Sequence, residues 1–166
     1  MLLGGGCNMH SEIANRLKLR YSPVALLFSD EKPNDATEFI EGRRGCVIAL
    51  ITAAAKGRQV AFSRSTCGCP GGIAGLGFGN PYPHFPGGFE YFLSTGRGEG
   101  YPEGEGYKKN PELVETFLDC LPFTDNAQKY IIAKPLDKVE EEKETPVIVV
   151  FYANPDQLSA LVVLAN

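Results

Sequence analysis

The stretch "CVIALITAAAKGRQVAFS", residues 46–63, decides the fold class. Its first part is rich in alanine and nearly all apolar, which predicts a helix that is buried on most sides. Gly57 follows the alanines and is typical of the left-handed residue that caps a helix. The remaining "RQVAFS" predicts a strand, so a helix and a strand follow each other directly. Cys46 is expected in the first turn of this helix.

The segments on either side repeat this alternation. Residues 11–19 predict a short helix, and "SPVALLFS" predicts a buried strand. Two later segments, "NPELVETFLDCLP" and "NPDQLSALVVLAN", predict helices that an asparagine caps and a proline begins. Between them, "KYIIAKPL" and "PVIVVFY" predict two strands. We therefore expect an α/β or α+β fold over residues 1–166: a single layered domain with a mixed sheet and packed helices.

Residues 68–106 differ from the rest of the chain. They contain 13 of its 19 glycines, with aromatic residues spread between them. Each glycine in a helix interior costs roughly 1 kcal/mol relative to alanine, so regular structure is expected only in "GGFEYFLST". Disordered segments are poor in aromatic residues. A long glycine- and aromatic-rich loop region with a functional role is therefore predicted.

Composition excludes several classes of protein. A net charge of −4 and a pI near 5.2 argue against a nucleic-acid partner, which usually requires a basic surface. No run of residues approaches the roughly 18 apolar residues of a membrane span. The start, "MLLGGGC", lacks the basic and apolar regions of a signal peptide, so a cytoplasmic location is expected. The five cysteines are then expected to be reduced thiols.

The motif "STCGCPGG", residues 65–72, holds Cys67 and Cys69 at a junction between a strand and a turn. A bend there can direct both sulfur atoms toward one metal ion or iron-sulfur cluster. The proline and glycines that follow fix the turn and leave backbone N–H groups to hydrogen-bond to thiolates or sulfides. Three nearby residues add hydroxyl donors: Ser63, Ser65 and Thr66.

A third ligand is predicted in Cys46, because a helix N-terminus beside Arg43 and Arg44 favours the thiolate that metals bind. The alternative is a buried cysteine on an apolar helix. The spacing of Cys46, Cys67 and Cys69 matches neither common zinc patterns nor ferredoxin patterns. Metal or cluster binding, used in electron transfer or redox sensing, therefore stands beside two alternatives, a reactive thiol and purely structural cysteines.

The other cysteines and His84 give weaker evidence of metal binding. Cys120 shares helical spacing with Leu113 and Phe117, which predicts core packing. Cys7 lies too close to the start of the chain for an assignment. His84, in "NPYPHFPGG", is expected to be an ordinary surface histidine.

A second interpretation is a binding module without redox chemistry. Phe78, Phe85 and Phe89 would line a pocket in the glycine-rich region, and Arg43 or Arg44 would hold an anionic group of a small molecule. Neither the phosphate-binding loop nor the dinucleotide fingerprint is present in "GGIAGLGFG". A third interpretation is an interaction subunit. No catalytic residue is assigned, so the sequence does not decide whether the protein is an enzyme.

Taken together, "SPVALLFSDEKP", "GCVIALITAAAKGRQVAF", "STCGCPGGIAGLGFG", "PGGFEYFLSTG" and "NPDQLSALVVLAN" resemble the domain of unknown function 169 family of archaea and anaerobic bacteria. The resemblance begins near Leu17. It implies an uncharacterised function and supports cysteine-linked metal or iron-sulfur binding. It also implies that members continue past "LSALVVLAN", so a C-terminal continuation, a protein partner or a second copy of the chain is expected to complete the site.

Overall fold

The structure is a computed structural model that describes residues 9–43, 45–96 and 103–165. Two compact units are distinguished within these ranges. The sheet unit consists of the described residues of 1–67 and 128–166, and the glycine-rich unit consists of those of 68–127. Each unit has its own set of helices and its own way of burying apolar side chains.

A four-stranded antiparallel sheet in the order β2-β3-β1-β4 organises the sheet unit. Its strands are β1 (Val24–Ser29), β2 (Val60–Ser63), β3 (Tyr130–Pro135) and β4 (Ile148–Val150). The predicted combination of helices with a layered sheet is confirmed. A mixed sheet was expected, but among the described residues parallel pairing occurs only in an isolated bridge between Thr37 and Val60. The antiparallel pairing of the strands makes the fold α+β.

The two faces of this sheet carry different side chains because neighbouring residues of a strand point to opposite sides. On one face, Ala25 and Leu27 pack with Leu136 and Val139, which belong to the segment that follows β3. Residues at the alternate positions are also buried, and they include Val24, Leu26, Val60, Phe62, Ile131 and Ala133. Helix α2 (Val47–Ala55) contacts β1, β2 and β3 through its apolar residues.

Two further helices complete the sheet unit, α1 (Glu12–Arg16) and α6 (Pro155–Ala165). The predicted cap of α6 is confirmed, since the side-chain oxygen of Asn154 accepts a hydrogen bond from the N–H of Gln157 at 2.9 Å. The amide of Gln157 in turn donates to the carbonyl oxygen of Leu17 at 2.9 Å. None of the described side chains of α6 is buried. The protein partner or second copy expected to complete the site remains a prediction.

The glycine-rich unit contains three helices, α3 (Pro70–Gly75), α4 (Phe89–Leu93) and α5 (Pro111–Asp119), and a 3-10 turn at Tyr82–His84. Helices α4 and α5 were predicted, and their contact with each other forms part of the unit's interior. Helix α3 was not predicted, since three of its six residues are glycine. Among the described residues, no helix combines the length and the apolar character that crossing a membrane requires.

Candidate functional site

Cys67 lies at the end of a tight turn that follows β2. Its N–H donates to the carbonyl oxygen of Ser63 at 3.0 Å, which closes the turn over residues 64–66. The residue is 3% exposed. The side chain of Cys67 is therefore shielded from solvent, and its backbone N–H is held by the carbonyl oxygen of Ser63, the last residue of β2.

A carboxylate that the sequence analysis did not identify fixes this turn. One oxygen of Glu38, Oε1, accepts hydrogen bonds from the hydroxyl of Ser63 at 2.7 Å and of Thr66 at 2.9 Å. The other oxygen, Oε2, accepts from the ammonium of Lys32 at 2.9 Å. The hydroxyls of Ser63 and Thr66 were expected to serve the cysteines as donors, but they point to Glu38. They hold the turn rather than the sulfur atoms.

These hydrogen bonds decide the ionisation of Glu38. Burial raises the pKa of its carboxyl group, but the hydrogen bonds from Ser63, Lys32 and Thr66 together outweigh burial and place the pKa below its usual value. The carboxylate is therefore ionised at neutral pH, where it accepts hydrogen bonds from both hydroxyls and from the ammonium. Glu38 accepts a hydrogen bond from Thr66, and Thr66 is the residue directly before Cys67 in the sequence.

Cys69, in the glycine-rich unit, is the N-cap of α3. Its sulfur atom accepts a hydrogen bond from the N–H of Gly72 at 3.3 Å, and Pro70 occupies the first position of the helix. The residue is only partly buried. Burial raises the pKa of the neighbouring Tyr82 phenol, and the Coulombic effect of Cys69 raises it further. A backbone donor and partial exposure together suit a thiolate that binds a ligand.

Cys46 is the N-cap of α2 rather than a residue of its first turn. Its side chain is exposed and makes no capping hydrogen bond. The alternative interpretation, a cysteine buried on an apolar helix, is therefore wrong. Arg43 is also exposed, whereas Arg44 lies outside the described residues.

Among residues 9–43, 45–96 and 103–165, no group of three or more histidine, cysteine, aspartate or glutamate side chains is placed to hold a metal ion. The set of Cys46, Cys67 and Cys69 remains a prediction.

Aromatic side chains form a continuous cluster in the glycine-rich unit. Phe89 contacts Tyr82 and Phe85, with ring centroids 4.1 Å and 5.1 Å apart. Phe85 also contacts Phe92 at 5.1 Å, and Tyr82 contacts Phe123 at 5.7 Å. Offset and edge-to-face pairs at such distances stabilise a core beyond the apolar area they bury. These contacts give the described part of this region a packed interior.

The aromatic residues proposed to bind a ligand belong to this interior. Phe78 and Phe89 are buried, and Phe85 is partly buried against its neighbours. The rings pack against one another, which explains the cluster without a ligand. A pocket formed by Phe78, Phe85 and Phe89 with Arg43 or Arg44 remains a prediction.

The remaining cysteines and His84 lie in different environments. The prediction that Cys120 packs in a core is wrong, because Cys120 is exposed at the C-cap of α5. The side chains that share its face, Leu113 and Phe117, are 46% and 39% exposed. His84 is exposed in its 3-10 turn, as expected. Cys7 lies outside the described residues.

Comparison with known protein families gives one match that covers nearly the whole chain. The sequence profile of the DUF169 family, described as "Uncharacterised ArCR", matches residues 12–166. The chain belongs to the DUF169 family. The predicted resemblance is therefore confirmed, and the motifs that carry it include the cysteine turn. Comparison with curated proteins and with solved structures gives no match.

Proposed function

We propose that this DUF169 protein binds a thiolate-ligated metal ion or iron-sulfur cluster through Cys67 and Cys69 and uses it in electron transfer or redox sensing in the cytoplasm. The observation that carries the proposal is the hydrogen bond from the N–H of Gly72 to the sulfur of Cys69 at 3.3 Å. Backbone donors of this kind stabilise thiolate ligands and tune the potential of iron-sulfur sites.

The environment of Cys67 supports the same chemistry in a different way. Its turn is fixed by the buried hydroxyl of Ser63 and by the carboxylate of Glu38, so its position does not depend on a bound metal. A preformed turn lowers the entropy lost when a ligand binds. Cys67 thus supplies a rigid and shielded thiol, and Cys69 supplies a more accessible one.

The remaining ligands come from outside this pair. Structural thiolate sites usually have four ligands, and the Cys67 and Cys69 pair supplies two. Cys46, which is exposed at the start of α2, is the proposed third. The last ligand comes from a protein partner, from a second copy of this chain or from a continuation of it.

The test is metal and acid-labile sulfide analysis of protein purified without oxygen, before and after reconstitution with iron and sulfide. We expect the Cys67→Ser and Cys69→Ser variants to lose bound metal and any charge-transfer absorption, because serine ionises far less readily than a thiol. Cys46→Ser should reduce the bound metal. Cys120→Ser is the matched control, since Cys120 is an exposed thiol outside the motif in sequence, and it should keep the metal content of the wild type.

Two outcomes would contradict the proposal. Wild-type protein that holds neither iron nor zinc after reconstitution would exclude a metal site of this kind. Fast alkylation confined to Cys69, unchanged by added metal, would instead identify a reactive thiol. Melting temperature provides a second measurement, because a metal bound only by the folded protein stabilises it by mass action. Metal should therefore raise the melting temperature of the wild type and of Cys120→Ser, but not that of Cys69→Ser.

A further inference from the structure

A cleft of about 510 Å³ opens on the sheet unit, beside β1, β3 and the segment that follows β3. Sites for small molecules commonly have volumes of roughly 300–1,000 Å³. The cleft shares no lining residue with the cysteine turn or the Glu38 network. The cleft is therefore a different place from the proposed metal centre.

The floor of the cleft is apolar. Leu27 of β1 and Ile132 of β3 are directly paired across the two strands, so their side chains lie on the same face of the sheet. Phe28 and Pro33 add apolar surface at the side of the cleft. This arrangement suits the hydrocarbon part of a small ligand.

One wall of the cleft carries a nearly buried ammonium group. Lys134 follows Ile132 by two residues, so it lies on the same face of β3, and it is 8% exposed. Its Nζ donates to both carboxylate oxygens of Glu144, at 2.6 Å and 2.7 Å. An ammonium group has three N–H donors. Within the described residues Glu144 uses two of them, which leaves the third for an acceptor in the cleft.

The rim of the cleft carries a second pair of opposite charges. Lys143 and Glu140 form an ion pair at 2.5 Å, with side chains that are 73% and 47% exposed. Their hydrogen bond raises the pKa of Lys143 and lowers the pKa of Glu140, so both groups are ionised at neutral pH. Exposed pairs of this kind are weak, so a ligand can separate them readily. The rim therefore offers one positive and one negative group.

We infer that this cleft binds a small zwitterion with an apolar body, the class that includes apolar α-amino acids. The ligand's carboxylate accepts hydrogen bonds from Lys134 and Lys143, its ammonium donates to Glu140, and its side chain packs on Leu27 and Ile132. The charges of the cleft support a zwitterion over a simple anion, since its two lysines and two glutamates sum to zero. A simple anion or cation would leave a partly buried charge without a counterpart.

The test is a calorimetric titration of the full chain with L-leucine and L-phenylalanine, compared with N-acetyl-L-leucine and L-leucinamide. We expect saturable binding of the two amino acids. Each analogue lacks one of the two charges and should bind at least about tenfold more weakly, because a charge-assisted hydrogen bond is lost. Absence of saturable binding of both amino acids at millimolar concentration would overturn the inference, as would equal binding of either analogue.

Substitutions at the rim test the residues without disturbing the interior. Glu140→Gln and Lys143→Gln alter exposed side chains, so the variants should fold, and each should weaken binding of the amino acid severalfold. Glu141→Gln is the matched control, because Glu141 is an exposed neighbour that does not line the cleft. Lys134→Met should abolish binding if the variant folds. Wild-type affinity in both rim variants would show that the charges do not bind the ligand.

Discussion

The sheet unit and the glycine-rich unit bury their apolar residues by different means. In the sheet unit, the side chains of paired strands point alternately to the two faces of the sheet and pack there. Val24, Val60 and Ala133 are fully buried in this way. The glycine-rich unit depends on a chain of ring contacts and on backbone hydrogen bonds between loops, such as that from the N–H of Glu105 to the carbonyl of Phe92 at 2.8 Å.

This difference separates two ways in which a sequence specifies structure. In the sheet unit, many apolar side chains pack on the sheet in the same way. The free energy of unfolding therefore depends on the apolar volume that each side chain fills. In the glycine-rich unit, particular glycines allow close approach of backbone segments, so single positions matter more than the overall pattern. Substitutions in the two units should therefore lower stability for different reasons.

The largest effect is expected from Phe62→Ala in β2. Phe62 is fully buried and contacts the ring of Phe39 edge-on, with centroids 6.0 Å apart. Removal of a buried phenylalanine ring typically lowers the free energy of unfolding by about 3–5 kcal/mol, which chemical denaturation would measure. The control is Ile40→Ala, at a side chain that is 62% exposed, with an expected change within about 0.5 kcal/mol. Similar losses from both variants would break the link between stability and buried volume.

A smaller loss of unfolding free energy is expected from Gly104→Ala in the glycine-rich unit. A Cβ at this position would overlap the carbonyl group of Ser94 and lie 2.5 Å from the backbone nitrogen of Gly96. Backbone atoms yield less easily than a flexible side chain, so the unfolding free energy should fall by about 1–3 kcal/mol.

The matched control makes the same chemical change where space is open. A Cβ at Gly71, inside α3, would meet no heavy atom within 4 Å. Because alanine favours a helix over glycine by about 1 kcal/mol, Gly71→Ala should leave stability unchanged or raise it. A loss at Gly71 as large as that at Gly104 would mean that glycine content, rather than close approach at one glycine, governs this unit.

The same contrast explains how much of the fold could be predicted. The strands and α2 follow from apolar patterns, and α5 and α6 follow from asparagine caps, all of which are local in sequence. Helix α3 could not be predicted in this way, because its glycines disfavour a helix. It forms where Pro70 occupies the first position, the sulfur of Cys69 accepts a hydrogen bond from Gly72, and Leu76 is buried after its last residue.

The residues of the candidate site show the same difference between local sequence signals and contacts between distant residues. Cys67 and Cys69 were identified because their motif is contained in one turn. Glu38 was missed, since it contacts Thr66 across 28 residues of sequence and no periodic pattern connects the two. Cys120 was assigned to a core because helical spacing gives the face of a helix but not whether another element covers that face. Contacts between distant residues decide both cases.

The smallest effect is expected from the pH dependence of Glu38→Gln, which tests whether the sheet unit also relies on one particular polar residue. The pKa of Glu38 in the folded protein lies below 4.5, its value for a free side chain. A group with a lowered pKa stabilises the folded state above its unfolded pKa, and this stabilisation is lost as the pH falls through the folded pKa. At neutral pH the wild type should therefore exceed the variant in unfolding free energy by about 1 kcal/mol, since glutamine keeps some of the hydrogen bonds. Denaturation curves recorded from neutral pH to about pH 3 should show this difference shrinking below about pH 4.5. The control, Glu41→Gln, changes an exposed carboxylate, so its unfolding free energy at neutral pH should stay within about 0.5 kcal/mol of the wild type. A difference that stays constant with pH would mean that packing of the side chain, rather than its charge, holds the turn before Cys67.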